Sequence, residues 1–252
     1  MEVITFLSGK GGQGKTAVLA SAAAGLAGAG KRVLAIDLCY GSRQLDIFMG
    51  LENMVLYNID DVLSGKNDLA SALVKSRAYE NLYLLSAPFT KDITFLDRER
   101  FAGSISAWKM QYDYILIDCP SGLSAGFEVS CAVADRICSV FVPDAAGIRG
   151  MDKVIGCMEK TKRDNMFMVI NMIHPYYIKA GGQLSDEKVP DMFPYPVYAV
   201  IPFDPAYSVS LLEGRMIPGG GMALLFHDLC RRIMGEEVPL KKWEKYAAKK
   251  LK

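Results

Sequence analysis

A glycine-rich turn near the amino terminus carries the clearest chemical signal in the sequence. Residues 9–16 read Gly-Lys-Gly-Gly-Gln-Gly-Lys-Thr and match the phosphate-loop pattern G-x-x-x-x-G-K-[ST] at every fixed position. Glycines let backbone N–H groups converge on phosphate oxygens, and the amino terminus of a following helix adds positive potential. The turn therefore predicts a binding site for ATP and Mg²⁺.

Each polar side chain of this turn has an expected role. Lys15 is expected to reach the β- and γ-phosphates, and Thr16 to place its hydroxyl on Mg²⁺. Lys10 is a second lysine inside the turn, and by itself it is either a solvated surface charge or a functional cation. The residues expected to contact the nucleotide here are Gly11, Gly12, Gln13, Gly14, Lys15, Thr16 and Ala17.

Two aspartates end short apolar runs further along the chain. Asp37 ends the run 33–37, and Asp118 ends the run 114–118. The carboxyl ends of parallel strands meet at one edge of a sheet, where ligands bind in open α/β folds. Carboxylates are preferred ligands of Mg²⁺. We therefore expect Thr16, Asp37 and Asp118 to hold the metal.

The elements that must position these residues alternate along the chain. Most strand candidates are continuously apolar, which is typical of parallel strands buried on both faces. These candidates are Val3–Leu7, Val33–Asp37, Leu82–Ser86, Tyr114–Asp118, Ile137–Val142, Met166–Asn171 and Tyr198–Ile201. Helical patterns cover Thr16–Ala29, Ile59–Leu63, Ile148–Lys160 and Met222–Met234. The alternation predicts a doubly wound α/β fold, a mostly parallel sheet with helices on both faces.

Composition excludes several classes of protein. The 252 residues suffice for one well-buried domain, and a net charge of +1 gives no overall attraction to nucleic acid or to anionic membrane. The six cysteines have no paired spacing, which favours reduced thiols. No run approaches the roughly 20 apolar residues of a membrane span. We expect a cytoplasmic protein that at most attaches to a membrane surface.

Several segments besides the turn resemble one known family. They are residues 36–50, 80–85, 112–122, 199–204 and 234–239. With the Lys-Gly-Gly-x-Gly-Lys-Thr form of the turn, they are similar to the MinD/ParA family of deviant Walker A P-loop ATPases. The similarity is greatest to its septum-site-determining MinD group, and it covers nearly the whole chain.

The resemblance implies further roles. Lys10 would cross a dimer interface to the partner's nucleotide, so that two ATP molecules join a homodimer. Asn171, Pro202 and Asp204 would contact adenine. Asp37 and Asp118 would belong to the two switch segments that respond to the γ-phosphate.

Cys39 departs from the family pattern. The resemblance implies a second acid at this position, where it would help to place or activate the attacking water. A thiol with a pKa near ~8.5 is mostly neutral at pH 7 and is a poor ligand for a hard cation. Slow hydrolysis is therefore expected, unless another group such as Asp46 or a bound partner compensates.

The last residues change composition sharply. We divide the chain into a P-loop ATPase domain, 1–237, and a basic amphipathic tail, 238–252. At helical spacing Leu240, Trp243, Ala247 and Leu251 share one face, with most of the lysines opposite. That pattern suits an interfacial helix on anionic lipid, and a solvated terminus is the alternative.

Together these features predict a MinD-like ATP-dependent switch. It would dimerise with ATP, sit peripherally on the inner face of the cell membrane, and position a regulatory or cargo protein. One alternative is a ParA-type partition ATPase that binds nonspecific DNA, which salt-sensitive DNA binding would reveal. Others are a metabolic P-loop enzyme and an ATP-binding scaffold with little hydrolysis.

Overall fold

The structure is a computed structural model that describes residues 1–89, 92–161, 163–217 and 219–246. Its centre is an eight-stranded sheet with the order β3-β4-β2-β5-β1-β6-β7-β8. The strands are β1 (Glu2–Leu7), β2 (Val33–Asp37), β3 (Val74–Lys75), β4 (Leu82–Leu85), β5 (Tyr114–Asp118), β6 (Arg136–Phe141), β7 (Met166–Ile173) and β8 (Val197–Pro202). All neighbouring strands are parallel except the antiparallel pair β3 and β4.

Eleven α-helices lie between or after these strands in the described part of the chain. They are α1 (Lys15–Gly28), α2 (Leu45–Phe48), α3 (Ile59–Leu63), α4 (Leu69–Ala72), α5 (Arg98–Trp108), α6 (Ala125–Val133), α7 (Ala145–Lys160), α8 (Pro175–Lys179), α9 (Val189–Met192), α10 (Pro205–Leu212) and α11 (Gly221–Ile233). Within the ranges that the structure describes, none of them combines the length and the apolar character needed to cross a bilayer.

Helices cover both faces of the sheet, because side chains of each strand point alternately to opposite sides. Ile4 and Phe6 of β1 belong to a buried cluster with α1 and α11. Val3 packs in a second cluster with α3 and α5, and Leu7 packs in a third with α6 and α7. The predicted doubly wound fold is therefore confirmed.

The predicted strands all exist, and the structure adds one. β3 has only two residues and runs antiparallel at the sheet edge. Two residues give no periodic signal, so the sequence did not reveal it. Helix α7 begins three residues before its predicted start, because Asp144 caps it by accepting a hydrogen bond from Gly147 N at 2.6 Å.

The carboxy-terminal segment 238–246 packs on the domain near the edge strand β8. Trp243 is 2% exposed, and its Nε1 donates to Asp186 Oδ1 at 2.9 Å. Arg232 donates to the carbonyls of Val238 and Pro239, and Lys241 pairs with buried Asp228 at 2.6 Å.

This packing differs from the expected amphipathic helix. Within the described residues 238–246, the helical structure is a single 3₁₀ turn, Trp243–Lys245. Burial of the indole ring in the domain core removes Trp243 from any solvent-facing apolar face. Ala247 and Leu251, the other predicted members of that face besides Leu240, lie outside the described residues.

Candidate functional site

The phosphate-binding turn joins β1 in the middle of the sheet to α1. Gly12 and Gly14 have φ values of 77° and 78°, which lie in the left-handed region that favours glycine. A Cβ at Gly14 would overlap the side-chain amide nitrogen of Asn171. Lys15 and Thr16 form the first turn of α1, so the loop's N–H groups and the helix amino terminus lie together.

Two aspartates lie beside this turn because of the strand order. β5 is the neighbour of β1, and β2 is the neighbour of β5. Asp37 and Asp118 are paired in the register of β2 and β5, and both are fully buried. Thr16 Oγ1 donates to Asp118 Oδ2 at 2.7 Å, and the Lys15 ammonium forms an ion pair with Asp118 Oδ1.

The electrostatics of this cluster favour a cationic lysine. Burial opposes the charge on Lys15, but the Asp118 charge, the hydrogen bond to Asp118 and the smaller effects of other neighbouring groups together outweigh it and raise the pKa of Lys15. Burial, followed by the nearby Asp118 charge, raises the pKa of Asp37 to about 6. Asp37 nevertheless accepts hydrogen bonds from Cys39 N at 2.7 Å and Leu45 N at 3.2 Å. These bonds fix the carboxyl group at the start of the switch segment.

Cys39 faces the same cluster. Its Sγ lies 3.5 Å from Asp118 Oδ2 and 3.6 Å from Lys15 Nζ. Burial and the Asp118 charge raise the pKa of the Cys39 thiol. The thiol is therefore protonated at neutral pH and donates to the carboxylate.

The side chains present fit a bound Mg²⁺. The metal-ligating atoms of Asp37, Cys39 and Asp118 lie within 4.8 Å of one another. Two of these groups are buried carboxylates, and the Thr16 hydroxyl is hydrogen-bonded to one of them. Hard oxygen donors of this kind suit Mg²⁺, whereas a neutral thiol does not. The residues that fit a bound Mg²⁺ are therefore Thr16, Asp37 and Asp118.

Asp46 does not lie in this cluster. Its carboxylate is 1% exposed and pairs with Arg43 Nη2 at 2.6 Å. The structure therefore gives no support to Asp46 as the acid that compensates for Cys39.

A cavity of about 600 Å³ opens over the turn and the helix amino terminus. Its volume lies in the range of small-molecule sites. The predicted residues that line it are Gly11, Gly12, Gln13, Gly14, Lys15, Thr16, Ala17, Cys39, Asn171, Pro202 and Asp204. Asp37 and Asp118 do not line it, but Asp118 contacts Lys15 and Thr16, which do. Lys10 is exposed and lies outside the lining.

The residues from β7 and from the segment after β8 that line the cavity include predicted and unpredicted ones. Asn171 is 2% exposed and donates from Nδ2 to Gln13 O at 2.9 Å. Asp204 lines the cavity and also caps α10 by accepting from Ala206 N at 2.9 Å. Met172 was missed, although it lines the cavity with a φ of 52°, a conformation rare for a side-chain-bearing residue. Only its position directly after Asn171 could have indicated it.

Comparison with known proteins agrees with this geometry. A sequence profile described as an AAA domain matches residues 1–170. The septum site-determining protein MinD of Helicobacter pylori is 35% identical over 245 residues, covering 94% of this chain and 91% of that protein.

Solved structures give the same result. The MinD of the Aquifex aeolicus MinC:MinD complex superposes with a TM-score of 0.87 at 36% identity, covering 96% of this chain and 99% of that one. The Pyrococcus horikoshii MinD complexed with Mg-ADP gives a TM-score of 0.81 at 28% identity, covering 92% and 95%. With its phosphate loop and strand order, the chain belongs to the MinD/ParA family of ATP-binding P-loop ATPases.

Proposed function

We propose that this chain is an ATP-dependent switch that dimerises around two ATP–Mg²⁺ molecules and positions a partner protein at a membrane surface. The observation that carries the proposal is the convergence of Lys15, Thr16 and Asp118 below a cavity of nucleotide size. A P-loop site of this kind senses whether a γ-phosphate is present.

Nucleotide binding would use groups that are already in place. Backbone N–H groups of residues 11–16 would surround the phosphates, and Lys15 would exchange its contact with Asp118 for phosphate oxygens. Asn171, Pro202 and Asp204 would contact the adenine. Thr16, Asp37 and Asp118 would hold Mg²⁺ directly or through water, and the bound ion would neutralise charge on the β- and γ-phosphates.

Dimerisation is proposed to depend on Lys10. Lys10 is exposed and directly precedes Gly11 and Gly12, which line the cavity, so its side chain could extend away from its own site. In a face-to-face dimer it would reach the partner's phosphates. ADP lacks the γ-phosphate, so the monomer would be favoured after hydrolysis.

The proposal also includes a protein partner and attachment to a membrane surface. A related MinD has been solved in a complex with MinC, which supports a protein partner for this chain. The basic tail, 238–252, would bind anionic lipid, and the protein would move from the cytoplasm to the inner face of the membrane with ATP. Trp243 and Lys241 are engaged by the domain, so residues 247–252 are the segment to test.

Liposome sedimentation tests the membrane part. The full chain and a chain ending at Tyr246, which keeps buried Trp243, are compared with ATP, with ADP and without nucleotide. The full chain is expected to sediment with anionic vesicles only with ATP, because two weakly binding tails act together in a dimer. The shortened chain should stay in the supernatant. Salt-sensitive binding to nonspecific DNA without vesicle binding would favour the ParA-type alternative instead.

A further inference from the structure

The side chain of Gln13 in the phosphate loop contacts a segment that is distant in sequence. The side chain is almost fully buried, and its Oε1 accepts a hydrogen bond from Val142 N at 2.7 Å. Val142 directly follows β6 and precedes α7. The bond therefore connects the phosphate loop to the junction between β6 and α7, 129 residues away in sequence.

The first turns of α7 lie directly against the loop. A Cβ added at Gly9 would overlap the backbone oxygen of Gly150, and one at Gly147 would lie 2.9 Å from Gln13 Oε1. A side chain at Gly9 would overlap the backbone of Gly150, and one at Gly147 would overlap the carbonyl oxygen of Val142, so neither position accepts a larger residue. Gln13 thus occupies a closely packed boundary between the loop and the helix.

The backbone of Gln13 is held from the opposite side. Its carbonyl accepts a hydrogen bond from Asn171 Nδ2 at 2.9 Å. A peptide group is planar and trans, so a fixed carbonyl also fixes the direction of the Gly14 N–H. The orientation of this loop peptide is therefore determined by Asn171 on the carbonyl and by the Gln13 side chain bound to Val142.

We propose that Gln13 is a positioning residue that orients the loop's backbone N–H groups for phosphate and couples the nucleotide site to the start of α7. The inference rests on the proposed nucleotide site. Without the side-chain oxygen, the N–H of Val142 loses its partner and the loop loses one of its two restraints. Phosphate contacts that exist in both the substrate complex and the transition state are weakened equally, so affinity falls while the rate at saturation is kept.

The test compares Gln13→Met, which has similar length but no amide oxygen, with Gln13→Glu, which keeps an acceptor. Asn81→Leu is the matched control, because Asn81 donates to the carbonyls of Ala27 and Lys31 at the other end of α1. We measure ADP and ATP affinity by calorimetry, kcat and KM for ATP, and hydrogen exchange of the Val142 amide in the apoprotein.

Gln13→Met is expected to accelerate Val142 exchange and to raise Kd and KM by about tenfold with kcat unchanged. Gln13→Glu should keep Val142 protected, and Asn81→Leu should leave Kd unchanged. Wild-type affinity in Gln13→Met, or unaltered Val142 exchange, would overturn the role of Gln13 alone. A wild-type chain that bound no nucleotide would instead overturn the proposed function. The two failures can be told apart, because Val142 exchange is measured without nucleotide.

Discussion

At the scale of single residues, the site is a compact cluster of charged groups. In the proposed complex, a nucleotide would have to rearrange the contacts among them. Lys15 is 6% exposed and forms an ion pair with Asp118, which also accepts a hydrogen bond from the Thr16 hydroxyl. The pair satisfies two buried charges. In the proposed complex, phosphates and metal would take over these contacts from the Lys15–Asp118 pair.

Replacing Lys15 tests the phosphate contact. Lys15→Ala should lose most ATP binding, because a desolvated charge-assisted contact contributes ~1.5–3 kcal/mol and the Asp118 charge is left without its cation. Calorimetry measures the affinity, and thermal unfolding checks that the variant is folded. Equal ATP affinity in a folded Lys15→Ala variant would exclude the assigned role.

Replacing Cys39 tests the departure from the family pattern. Cys39→Asp should speed single-turnover hydrolysis by ~10²-fold without tightening ATP binding, because the added carboxylate would act mainly on the attacking water. Cys39→Ser, which adds no acid, is the matched control. Asp118→Asn should instead weaken Mg²⁺-dependent binding. If Cys39→Asp leaves the rate unchanged and the wild type already hydrolyses rapidly, Cys39 does not slow the switch.

The buried carboxyl of Asp37 predicts a pH dependence. Its pKa of about 6 in the folded chain exceeds the ordinary 3.8, so the folded state binds this proton more tightly than the unfolded chain does. The resulting contribution to the free energy of unfolding is fully present below pH ~3.8 and is lost as pH rises through about 6, a change of roughly 3 kcal/mol.

Urea unfolding of the apoprotein between pH 4 and 7 measures this contribution against Asp37→Asn. The wild type should lose stability relative to the variant as pH rises, because only the wild type carries the titrating carboxyl group. Parallel pH profiles for the two proteins would contradict the raised pKa.

At the scale of elements, sequence patterns correctly predicted the strands whose residues are buried along their whole length. β1, β2 and β5 are continuously apolar and buried on both faces, so their positions and the place of Asp37 and Asp118 followed from the pattern. β3 was missed because it pairs over two residues only. The contact between Gln13 and Val142 was also missed, because it joins segments 129 residues apart.

The carboxy-terminal segment also makes contacts that its sequence pattern did not reveal. Trp243 fitted the apolar face of a helix by its spacing, yet its neighbours in space are residues of the core. Helical periodicity shows which residues share an apolar face, but not whether that face packs on the protein core or on a membrane. The buried indole holds segment 238–246 against the domain.

Substitutions at Trp243 test this placement. Trp243→Ala should lower the free energy of unfolding by ~3–5 kcal/mol, because it leaves a large cavity. Trp243→Phe should cost less, since it keeps a ring and loses the hydrogen bond to Asp186. Urea unfolding provides both values. A Trp243→Ala protein as stable as the wild type would show that the ring is not packed in solution.

At the scale of the whole molecule, we expect two populations, a dimer bound to ATP and a monomer bound to ADP, whose nucleotides differ by one phosphate group. The fold presents the cavity and Lys10 at the carboxyl edge of the sheet, and the carboxy-terminal segment packs near the edge strand β8. A dimer formed through the cavity face would therefore carry two copies of the tail. Membrane attachment would then depend on dimerisation and not on any single tail.

The central claim, dimerisation around ATP, is tested most directly by light scattering with Mg²⁺ and either ATP or ADP. The wild-type chain should double its molar mass with ATP and remain a monomer with ADP. Lys10→Ala should bind ATP with nearly unchanged affinity and stay a monomer, because its proposed target is the partner's phosphates. A wild-type chain that stays monomeric with saturating ATP, or a Lys10→Ala chain that still doubles its mass, would contradict the account.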